Sequence, residues 1–322
     1  MHLLADGASH SGTALAGELG LTRAAVWKHI HQLQSFGLEI QSEQRTGYCL
    51  SQPLELLAAP EITAALSPAV HDQVLPVQIA WSLESTNTAL LAADSPPAGR
   101  ASVCLAEFQT GGRGRRGRSW YSPIGHGLCM SVGWRFASSP AALHCLGLVA
   151  GVAVLRALRA SGLSEGQLKW PNDVLVKGKK LAGLLIDVQG ESGGPLHVII
   201  GAGLNYLLNA QARAAILAQG GMEPAAYAAV VDAPEGRNRL AAQLISALVE
   251  ALGQFEQAGF SAFVDEWRAA DYLAGAPVDV QLASGVVQGI ASGISNDGQL
   301  KLQTDKGLEQ IVSGDVSVRV TM

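Results

Sequence analysis

The chain has 322 residues, of which 48% are hydrophobic and 15% charged, and its formal net charge is −5 at pH 7. This composition is typical of a globular protein with a substantial core, long enough for two or three domains, and it excludes a disordered chain. The weakly acidic balance gives no whole-molecule attraction to nucleic acid. Any such role must therefore depend on a local surface.

The cysteines and the N-terminus indicate a compartment. The four cysteines are far apart and form no CxxC pair, so we expect reduced thiols rather than a disulfide framework or a zinc site; they are Cys49, Cys104, Cys129 and Cys145. The N-terminus lacks a signal-peptide pattern, and no stretch offers the ~20 uninterrupted apolar residues of a membrane span. We predict a cytoplasmic protein that does not bind a membrane.

The first region, to about residue 55, has a helix-turn-helix pattern. Two short helical patterns are separated by Gly20, and Thr22 is placed to cap the second. An apolar stripe on the second helix leaves its other side for a ligand; the stripe is Ala25, Val26, Ile30 and Leu33. Residues 37–50 then read as two short strands around a turn. Together these features predict a winged helix whose second helix could enter a DNA major groove.

Charge weighs against that prediction. Residues 1–52 contain three basic residues, Arg23, Lys28 and Arg45, against four acidic ones, Asp6, Glu18, Glu39 and Glu43. Phosphate contacts supply much of the affinity for DNA, so this is a poor electrostatic footprint. A helical domain that contacts only protein is the alternative. If DNA binds, we expect the contacts to come from Thr22, Arg23, Trp27 and Lys28.

The central region mixes strands with helices. Alternating or continuous apolar runs predict strands over 77–86, 101–110, 127–136, 174–189 and 196–205, and helices over 141–162 and 239–259. There is no GxxxxGK[ST] loop and no GxGxxG after the first strand, so neither a P-loop nor a Rossmann fold is expected. Residues 209–222, rich in Ala, Gln and Gly, read as a mobile lid or a linker.

The third region begins near Gly275 and consists of short β-runs broken by glycines. Asn296, Asp297 and Gly298 form a strong hairpin-turn signal. A small β-barrel of about fifty residues fits this pattern, although such a barrel by itself indicates no function.

The segment 111–120, GGRGRRGRSW, carries the strongest chemical signal. Four arginines in ten positions can surround one phosphate group, and the interleaved glycines let the backbone approach a ligand. Such a run is often a solvated or nucleic-acid-tethering segment. Here it lies between two predicted core strands, which favours a loop that folds over a ligand and stabilises charge during phosphate chemistry.

Two polar clusters could complete such a site. Ser85-Thr86-Asn87 is explained by a helix N-cap, yet with Gln109 it also offers donors and acceptors to a urea-like ligand. Lys169-Trp170-Pro171-Asn172-Asp173 would ordinarily be a turn, but with Lys180 it could clamp a phosphate or carboxylate. Gly201-Ala202-Gly203 permits close approach to a ligand, and a plain turn explains it equally well.

Other chemistries find little support. His126 and His144 lack partners at metal-ligand spacing, so we assign them to structure and expect no protein-bound metal site. We find no Ser/His/Asp or Cys/His arrangement. An enzyme built from this chain would therefore act by positioning and charge neutralisation rather than through a protein nucleophile.

Taken together, these motifs resemble a known family. STN (85–87), GRGRRGRSW (112–120), KWPND (169–173), KKLAGLLID (179–187) and GAGLN (201–205) look like the biotin protein ligase signature, in order and at similar spacing. The resemblance covers essentially the whole chain. It implies an α+β protein with three parts: a winged helix-turn-helix over 1–55, a mixed α/β ligase domain of the biotin/lipoate type over 60–272, and an SH3-like β-barrel over 273–322.

The resemblance implies a two-step reaction. The biotin carboxylate attacks the α-phosphate of MgATP to give biotinyl-5′-AMP, and a lysine of a biotin carboxyl carrier protein then displaces AMP. The implied biotin-binding residues are Ser85, Thr86, Asn87, Gln109, Arg113, Gly114, Arg115, Lys180, Gly183, Gly201 and Gly203. The implied ATP-binding residues are Arg115, Arg118, Lys169, Asn172 and Asn205. Arg115, Lys180 and Arg118 are the implied catalytic residues.

The bifunctional members of the family also repress the biotin operon. This implies binding to operator DNA and pairing of adenylate-bound subunits through an edge of the central sheet, to which strand 196–205 could contribute unless it is an interior strand. Residues 209–222 lack the tryptophan that those members place against the adenine. Two alternatives remain open: a ligand-sensing transcription factor without ligase activity, and a lipoate-protein ligase.

Overall fold

The computed structural model describes residues 1–43, 47–137, 140, 142–190, 194–282, 285–312 and 317–320. The N-terminal part contains α1 (Gly12–Leu19), α2 (Arg23–Ser35) and an antiparallel pair, β1 (Ile40–Glu43) and β2 (Gly47–Leu50). The turn between these strands, with Arg45, lies outside the described residues. The helix-turn-helix followed by a hairpin is therefore present as predicted.

Local capping defines the two helices. The Ser11 hydroxyl accepts from the Ala14 amide at 3.0 Å, and α1 ends at Gly20, whose φ of 64° is left-handed. The Thr22 hydroxyl accepts from the Ala25 amide at 3.2 Å and begins α2. Val26 and Ile30 of the predicted stripe are buried, while Trp27 is 53% exposed.

A seven-stranded sheet forms the centre of the molecule. Its strands follow the order β3-β4-β5-β9-β8-β7-β6, and only β3 and β4 run parallel. The strands are β3 (Gln78–Leu83), β4 (Ala101–Gln109), β5 (Gly127–Phe136), β6 (Gly166–Lys169), β7 (Asp173–Val176), β8 (Lys179–Gly190) and β9 (Leu196–Asn205). The helices of this part are α3 (Ala59–Ala64), α4 (Thr86–Ala92), α5 (Leu146–Ala160), α6 (Ala210–Ala218), α7 (Tyr227–Val230), α8 (Arg237–Ala258) and α9 (Val264–Ala269).

One prediction for this sheet was wrong in detail, and one alternative left open by the sequence is removed. The run 174–189 is two strands, because Lys177 (φ 49°) and Gly178 (φ 72°) form a left-handed turn that reverses the chain. Gly201-Ala202-Gly203 is not a turn, since it continues β9 in register with β5 and β8. Because β9 pairs with β8 on one side and with β5 on the other, it is an interior strand of the sheet.

The two faces of the sheet have different roles. Along β5, Leu128 and Val132 point into the main core, which α5 and α8 complete. Ser131 and Gly133 lie on the opposite face, where α4 packs Leu90 against the sheet. That second face is left partly open beyond α4, and it carries the site described below.

One helix of the described chain could cross a membrane by length and composition alone. It is the segment Leu143–Ala160, with mean hydropathy 1.6, and 67% of it is buried inside the fold. Its apolar character is explained by the core that it forms with α8.

The C-terminal part is a five-stranded antiparallel sheet in the order β13-β12-β11-β10-β14. The strands are β10 (Pro277–Leu282), β11 (Gly285–Ile294), β12 (Leu300–Thr304), β13 (Gly307–Ile311) and β14 (Ser317–Val320). Closure into an SH3-like barrel stays a prediction. The Asn296-Asp297-Gly298 turn is present between β11 and β12, and it also contacts the central part, since the Trp170 indole donates to the Gly298 carbonyl at 3.1 Å.

The connection between the first two parts is held by buried polar groups. Arg237 and Glu107 form an ion pair at 2.8 Å, with their side chains 1% and 3% exposed. Arg237 also donates to the carbonyl of Glu55, and Glu107 accepts from the Leu57 amide. Nearby, the rings of Phe36 and Phe108 are 4.9 Å apart. The winged helix thus packs directly against the central domain.

Candidate active site

A cavity of about 1190 Å³ opens on the α4 face of the central sheet. The sequence-predicted ligand-binding residues all line it: Ser85, Thr86, Asn87, Gln109, Arg113, Gly114, Arg115, Arg118, Lys169, Asn172, Lys180, Gly183, Gly201, Gly203 and Asn205. They come from positions up to 120 residues apart in the chain. The predicted DNA-binding residues lie elsewhere, on α2 and its N-cap, where Thr22, Arg23, Trp27 and Lys28 are all exposed.

One end of the cavity is a buried hydrogen-bond network at the start of α4. The Thr86 amide donates to Gln109 Oε1 at 2.8 Å, and the Thr86 hydroxyl donates to the same atom at 3.2 Å. The Ser131 hydroxyl lies 2.7 Å from Thr86 Oγ1 and 2.5 Å from Asn87 Oδ1. Ser85 is the N-cap of α4 by position, yet its side chain accepts no capping hydrogen bond. Hydrogen bonds between these polar groups hold them in place.

The glycines on the floor of the cavity leave space that other residues would fill. A Cβ on Gly201 would lie 2.3 Å from Asn87 Oδ1, and a Cβ on Gly203 would lie 2.4 Å from Cε2 of Trp120. A Cβ on Gly183 would lie 3.0 Å from Lys180 Nζ. Any side chain at these positions would displace a group that lines the cavity, which explains why glycine is present in mid-strand.

The Arg/Gly segment is a closed loop over the other end of the cavity. Its base is held by the Trp120 amide, which donates to the Gly112 carbonyl at 2.8 Å, and its tip reverses at Arg116 (φ 59°) and Gly117 (φ 69°). Arg115 Nη1 lies 3.4 Å from Asn172 Oδ1, so the loop reaches the KWPND segment. The loop is therefore folded onto the site rather than extended as a tethering segment.

Two lysines complete the cationic end. Lys180 Nζ lies 2.8 Å from Asp173 Oδ1 and 5.6 Å from the centroid of the Trp120 ring. Burial lowers the pKa of Lys169, and the nearby Asp173 carboxylate opposes that shift. Lys169 Nζ is 3.9 Å from the sulfur of Met222. The arrangement can bind an anion and compensate charge that builds up on it.

The segment 209–222 is built around helix α6 rather than being an extended linker, and its role as a mobile lid stays a prediction. Asn209 caps α6, and the residues after that helix line the cavity. The chain just after this segment is attached to β8, because the Lys180 amide donates to the Glu223 carbonyl at 2.8 Å and the Ala225 amide donates to the Lys180 carbonyl at 2.9 Å. Helix capping and backbone pairing account for this order, which composition alone did not reveal.

Several lining or network residues were missed in the sequence. Ser131 and Asp187 project from mid-strand to the cavity face, which the alternation along β5 and β8 could have indicated once the register was known. Tyr272 and Arg319 reach the cavity from the C-terminal end of the chain, and Trp120 covers Gly203. Nothing local in the sequence marks Arg319, since only the tertiary fold brings β14 to the site.

The remaining candidates have structural roles. His126 Nδ1 lies 2.8 Å from the Ile124 carbonyl, and His144 Nε2 lies 2.8 Å from the Asp297 carbonyl. Burial raises the pKa of the Cys129 thiol, which lines the cavity, to about 11, so it is protonated at neutral pH. Within the described chain, no three His, Cys, Asp or Glu side chains are grouped as metal ligands.

The fold and the site together define a protein with a helix-turn-helix domain and a central domain whose cavity has a hydrogen-bonding end and a cationic end. Three family models match in chain order: an HTH domain over 1–49, the Biotin/lipoate A/B protein ligase family over 79–205, and the Biotin protein ligase C terminal domain over 274–319. The bifunctional ligase/repressor BirA of Salmonella typhimurium is 37% identical over 98% of this chain and 95% of its own length. The chain therefore belongs to the biotin protein ligase family.

Further relatives agree with this assignment. The biotin–[acetyl-CoA-carboxylase] ligase of Mycobacterium tuberculosis is 37% identical over 72% of this chain and 85% of its own length. Among solved structures, the biotin protein ligase of Aquifex aeolicus in complex with biotin and ATP is 26% identical and has a TM-score of 0.62. It covers 76% of this chain and 99% of its own.

Proposed function

We propose that this protein is an ATP-dependent biotin protein ligase and that it also represses biotin synthesis genes. It converts biotin and ATP to biotinyl-5′-AMP and pyrophosphate, then transfers biotin to a lysine of the biotin carboxyl carrier protein of acetyl-CoA carboxylase. One observation carries the proposal. A preformed polar pocket for a urea-like group and a cationic loop for phosphates open into the same cavity.

The buried end of the cavity binds the ureido ring of biotin. A ureido group has one carbonyl acceptor and two N–H donors, and the Asn87 amide oxygen lies next to Gly201 on the cavity lining, where it can accept from the ligand. Ser85, Thr86 and Gln109 supply the other polar contacts. Gly183, Gly201 and Gly203 form the floor on which the ring system lies.

The cationic end carries the chemistry. In the first step a biotin carboxylate oxygen forms a bond to the α-phosphorus of ATP, and the bond from that phosphorus to pyrophosphate breaks. Arg115 and Lys180 stabilise the negative charge that increases on the phosphoryl oxygens, while Arg113 and Gly114 close over biotin. Arg118, Lys169, Asn172 and Asn205 bind ATP. The nucleophile belongs to the substrate, so the reaction requires no nucleophile from the protein.

In the second step the neutral ε-amine of the carrier lysine attacks the acyl carbon of the adenylate. The anhydride C–O bond breaks, AMP leaves, and the amine loses a proton as the amide forms. The Arg/Gly loop must let this lysine enter while it excludes water, because the adenylate is a reactive mixed anhydride.

Magnesium is expected to enter with ATP. Mg²⁺ prefers oxygen ligands and is commonly bound through substrate phosphates with one or two protein oxygens. The residues present fit such an ion: Asn205 lines the cavity, and its Nδ2 donates to the Lys180 carbonyl at 3.2 Å, which leaves the amide oxygen for the ligand side. When bound, the ion would neutralise charge on the phosphates.

Repression uses the winged helix. The exposed residues Thr22, Arg23, Trp27 and Lys28 of α2 and its cap contact the operator. The domain carries few basic residues, so we expect binding to require the paired form of the protein, which doubles the phosphate contacts. The proposed division of the chain is 1–55, 60–272 and 273–322, and the proposed location is the cytoplasm.

Pairing of adenylate-bound subunits needs a sheet edge, and β9 does not supply one. The alternative edge is β8, which extends to Gly190 whereas β7 pairs with it only as far as Gly183. No described strand pairs with the outer side of β8 from Leu185 to Gly190. We propose that two subunits pair through this part of β8.

The ligase proposal is tested by incubating the purified protein with MgATP, radiolabelled biotin and a biotin carboxyl carrier protein. We expect label on the carrier and release of AMP and pyrophosphate, with Lys180→Ala strongly impaired. Lipoate in place of biotin distinguishes the lipoate ligase. Absence of labelling by the unmodified protein would reject ligase activity.

The proposed repressor function is tested by gel shift with DNA from upstream of the protein's own gene, with and without biotin and ATP. We expect retardation that increases when the adenylate forms, and loss of retardation in Lys28→Ala. A protein that causes no shift even at low salt is not a repressor at this site.

A further inference from the structure

Asp187 lies between the ureido pocket and the Arg/Gly loop and contacts both. On one side its Oδ2 accepts from Asn87 Nδ2 at 2.9 Å. On the other, the same oxygen accepts from Arg113 Nη2, also at 2.9 Å. The Asp187 side chain is 24% exposed and that of Arg113 is 43% exposed. A single carboxylate oxygen therefore joins a buried pocket residue to a partly exposed loop residue.

The first contact determines which way the Asn87 amide points. Its nitrogen donates to Asp187 and, at 3.3 Å, to the Leu185 carbonyl, so its oxygen faces Ser131 and lies beside Gly201, which lines the cavity. A carboxylate accepts hydrogen bonds and donates none. Asp187 thus forces Asn87 to present an acceptor to the ligand. The reversed amide would present donors to the ureido N–H groups and repel them.

The second contact fixes the loop to the sheet. Arg113 is near the start of the loop, and its ion pair joins this segment to the middle of β8. A partly exposed ion pair contributes little stability by itself, because water screens it. Its strength depends on how firmly the carboxylate is already held. Asn87 provides that support, because its amide is almost fully buried.

We propose that Asp187 is a positioning residue that couples recognition of the ureido ring to closure of the Arg/Gly loop. A ligand N–H that donates to Asn87 Oδ1 polarises the amide, and neighbouring hydrogen bonds in a chain strengthen one another. The Asn87–Asp187 bond becomes firmer, and the carboxylate is held where Arg113 reaches it. By linkage, a closed loop must raise the affinity for biotin by the same factor. This inference depends on the proposed function, because it takes biotin as the ligand.

A double-mutant cycle measures the coupling. The variants are Asp187→Asn, Arg113→Gln and the double substitution, with biotin affinity determined by calorimetry in the absence of ATP. We expect Asp187→Asn to raise the Kd about tenfold, which corresponds to about 1.4 kcal/mol. Arg113→Gln should raise it about threefold, and the double variant should be no weaker than Asp187→Asn alone, since both act through one oxygen. Additive effects, or an unchanged Kd in Asp187→Asn, would overturn the proposal.

A matched control is Glu165→Gln. Glu165 is also a surface carboxylate, paired with Lys177 at 3.1 Å, and it does not line the cavity. We expect the Glu165→Gln variant to bind biotin with unchanged affinity. Thermal unfolding of all variants distinguishes loss of coupling from loss of fold, because a general structural defect lowers Tm but does not produce non-additive binding.

Trypsin reports on the loop directly, because the loop contains four arginines. At saturating biotin, cleavage between residues 113 and 118 should be slowed at least fivefold in the unmodified protein and hardly at all in Asp187→Asn. If that variant, saturated with biotin, is protected as well as the unmodified protein, the coupling is wrong while ligase function stands. If the unmodified protein binds no biotin, the proposed function and the coupling both fail.

Discussion

The two ends of the cavity are built in opposite ways. At the ureido end, Thr86, Asn87 and Ser131 are at least nine-tenths buried and are hydrogen-bonded to one another or to Gln109. At the phosphate end, cations are carried by a loop whose backbone reverses through left-handed residues, and Arg113 is 43% exposed. One end is preorganised by packing, whereas the other is a set of charges on a short loop.

The difference corresponds to what each end must do. A neutral ureido ring is distinguished from other molecules by hydrogen bonds, and these discriminate best when the protein groups are already desolvated and in place. A triphosphate is bound through charge, and the loop must later admit the carrier lysine. Substitutions at the first end should therefore change affinity for biotin, and those at the second should change the rate of adenylate formation.

The largest effect is expected at the phosphate end. Arg115→Ala removes the guanidinium that we propose stabilises charge on the α-phosphate, and loss of one such donor costs about 10²- to 10³-fold in kcat. Biotin-dependent exchange of labelled pyrophosphate into ATP measures it, and biotin Kd should change less than about threefold. Arg239→Ala, on an exposed turn of α8, is the control. An Arg115→Ala enzyme with normal exchange would remove Arg115 from the reaction.

The ureido end should give the converse result. Gly201→Ala places a Cβ 2.3 Å from Asn87 Oδ1 and forces the amide or the strand to move. Overpacking of this kind costs about 1–3 kcal/mol, so biotin affinity should fall about 5- to 150-fold. At saturating biotin, kcat should stay within about threefold of normal. Calorimetry and exchange kinetics measure the two quantities.

The control for that substitution is Gly253→Ala in α8, where an added Cβ meets nothing within 4 Å. It should leave biotin affinity unchanged. If Gly201→Ala lowered kcat and spared affinity, the division of labour between the two ends of the cavity would be wrong.

The sequence predicted one end better than the other for a physical reason. The Arg/Gly loop is a continuous segment, so its composition alone indicated a phosphate site. The ureido network joins Thr86, Gln109 and Ser131, and Ser131 could be placed only after the pairing of β5 was known. Local patterns also correctly predicted both helices of the winged helix and the turn at Gly298, because helix caps and turns depend on neighbouring residues.

Features that depend on long-range pairing were missed or misplaced. β9 is an interior strand because β5 and β8 pair with it on either side. The turn at Lys177 was missed because the residues before and after it are both apolar and read as one continuous strand. Likewise, the order of residues 209–222 comes from the Asn209 helix cap and from backbone pairing near Lys180, and the composition of the segment alone did not reveal it.

A substitution with a smaller expected effect, Arg319→Ala, tests whether the C-terminal domain contributes to the phosphate end of the cavity. Arg319 lines the cavity from β14, and its charge acts on Lys169, where it contributes to the lowered pKa. Arg319→Ala should raise KM for ATP about 3- to 10-fold and leave biotin affinity unchanged, because one screened contact to a phosphate is worth about 1 kcal/mol. Lys306→Ala, an exposed cation of the same domain, is the control. Equal ATP kinetics in both variants would confine the phosphate site to the central domain.

The smallest effect concerns Asp271, a half-buried polar group without the mutual hydrogen bonds of the ureido end. Its Oδ1 accepts from the Leu273 amide at 2.9 Å, while Oδ2 has no partner within the described chain. Burial raises the pKa of Asp271 to about 6, against an ordinary value of 3.8. The folded protein thus binds this proton more tightly than the unfolded chain does. The resulting stability is fully present below about pH 4 and is lost as the pH rises through about 6.

Asp271→Asn removes the charge and should abolish this pH dependence. After allowance for partial exposure, we expect the variant to be about 1 kcal/mol more stable than the unmodified protein at pH 8 and equally stable at pH 4. Urea unfolding at both pH values measures the difference, with exposed Asp305→Asn as the control. If the variant were instead less stable than the unmodified protein at pH 8, the folded protein would stabilise the ionised carboxylate of Asp271. The contrast between Asp271 and the hydrogen-bonded polar groups of the ureido end would then be wrong.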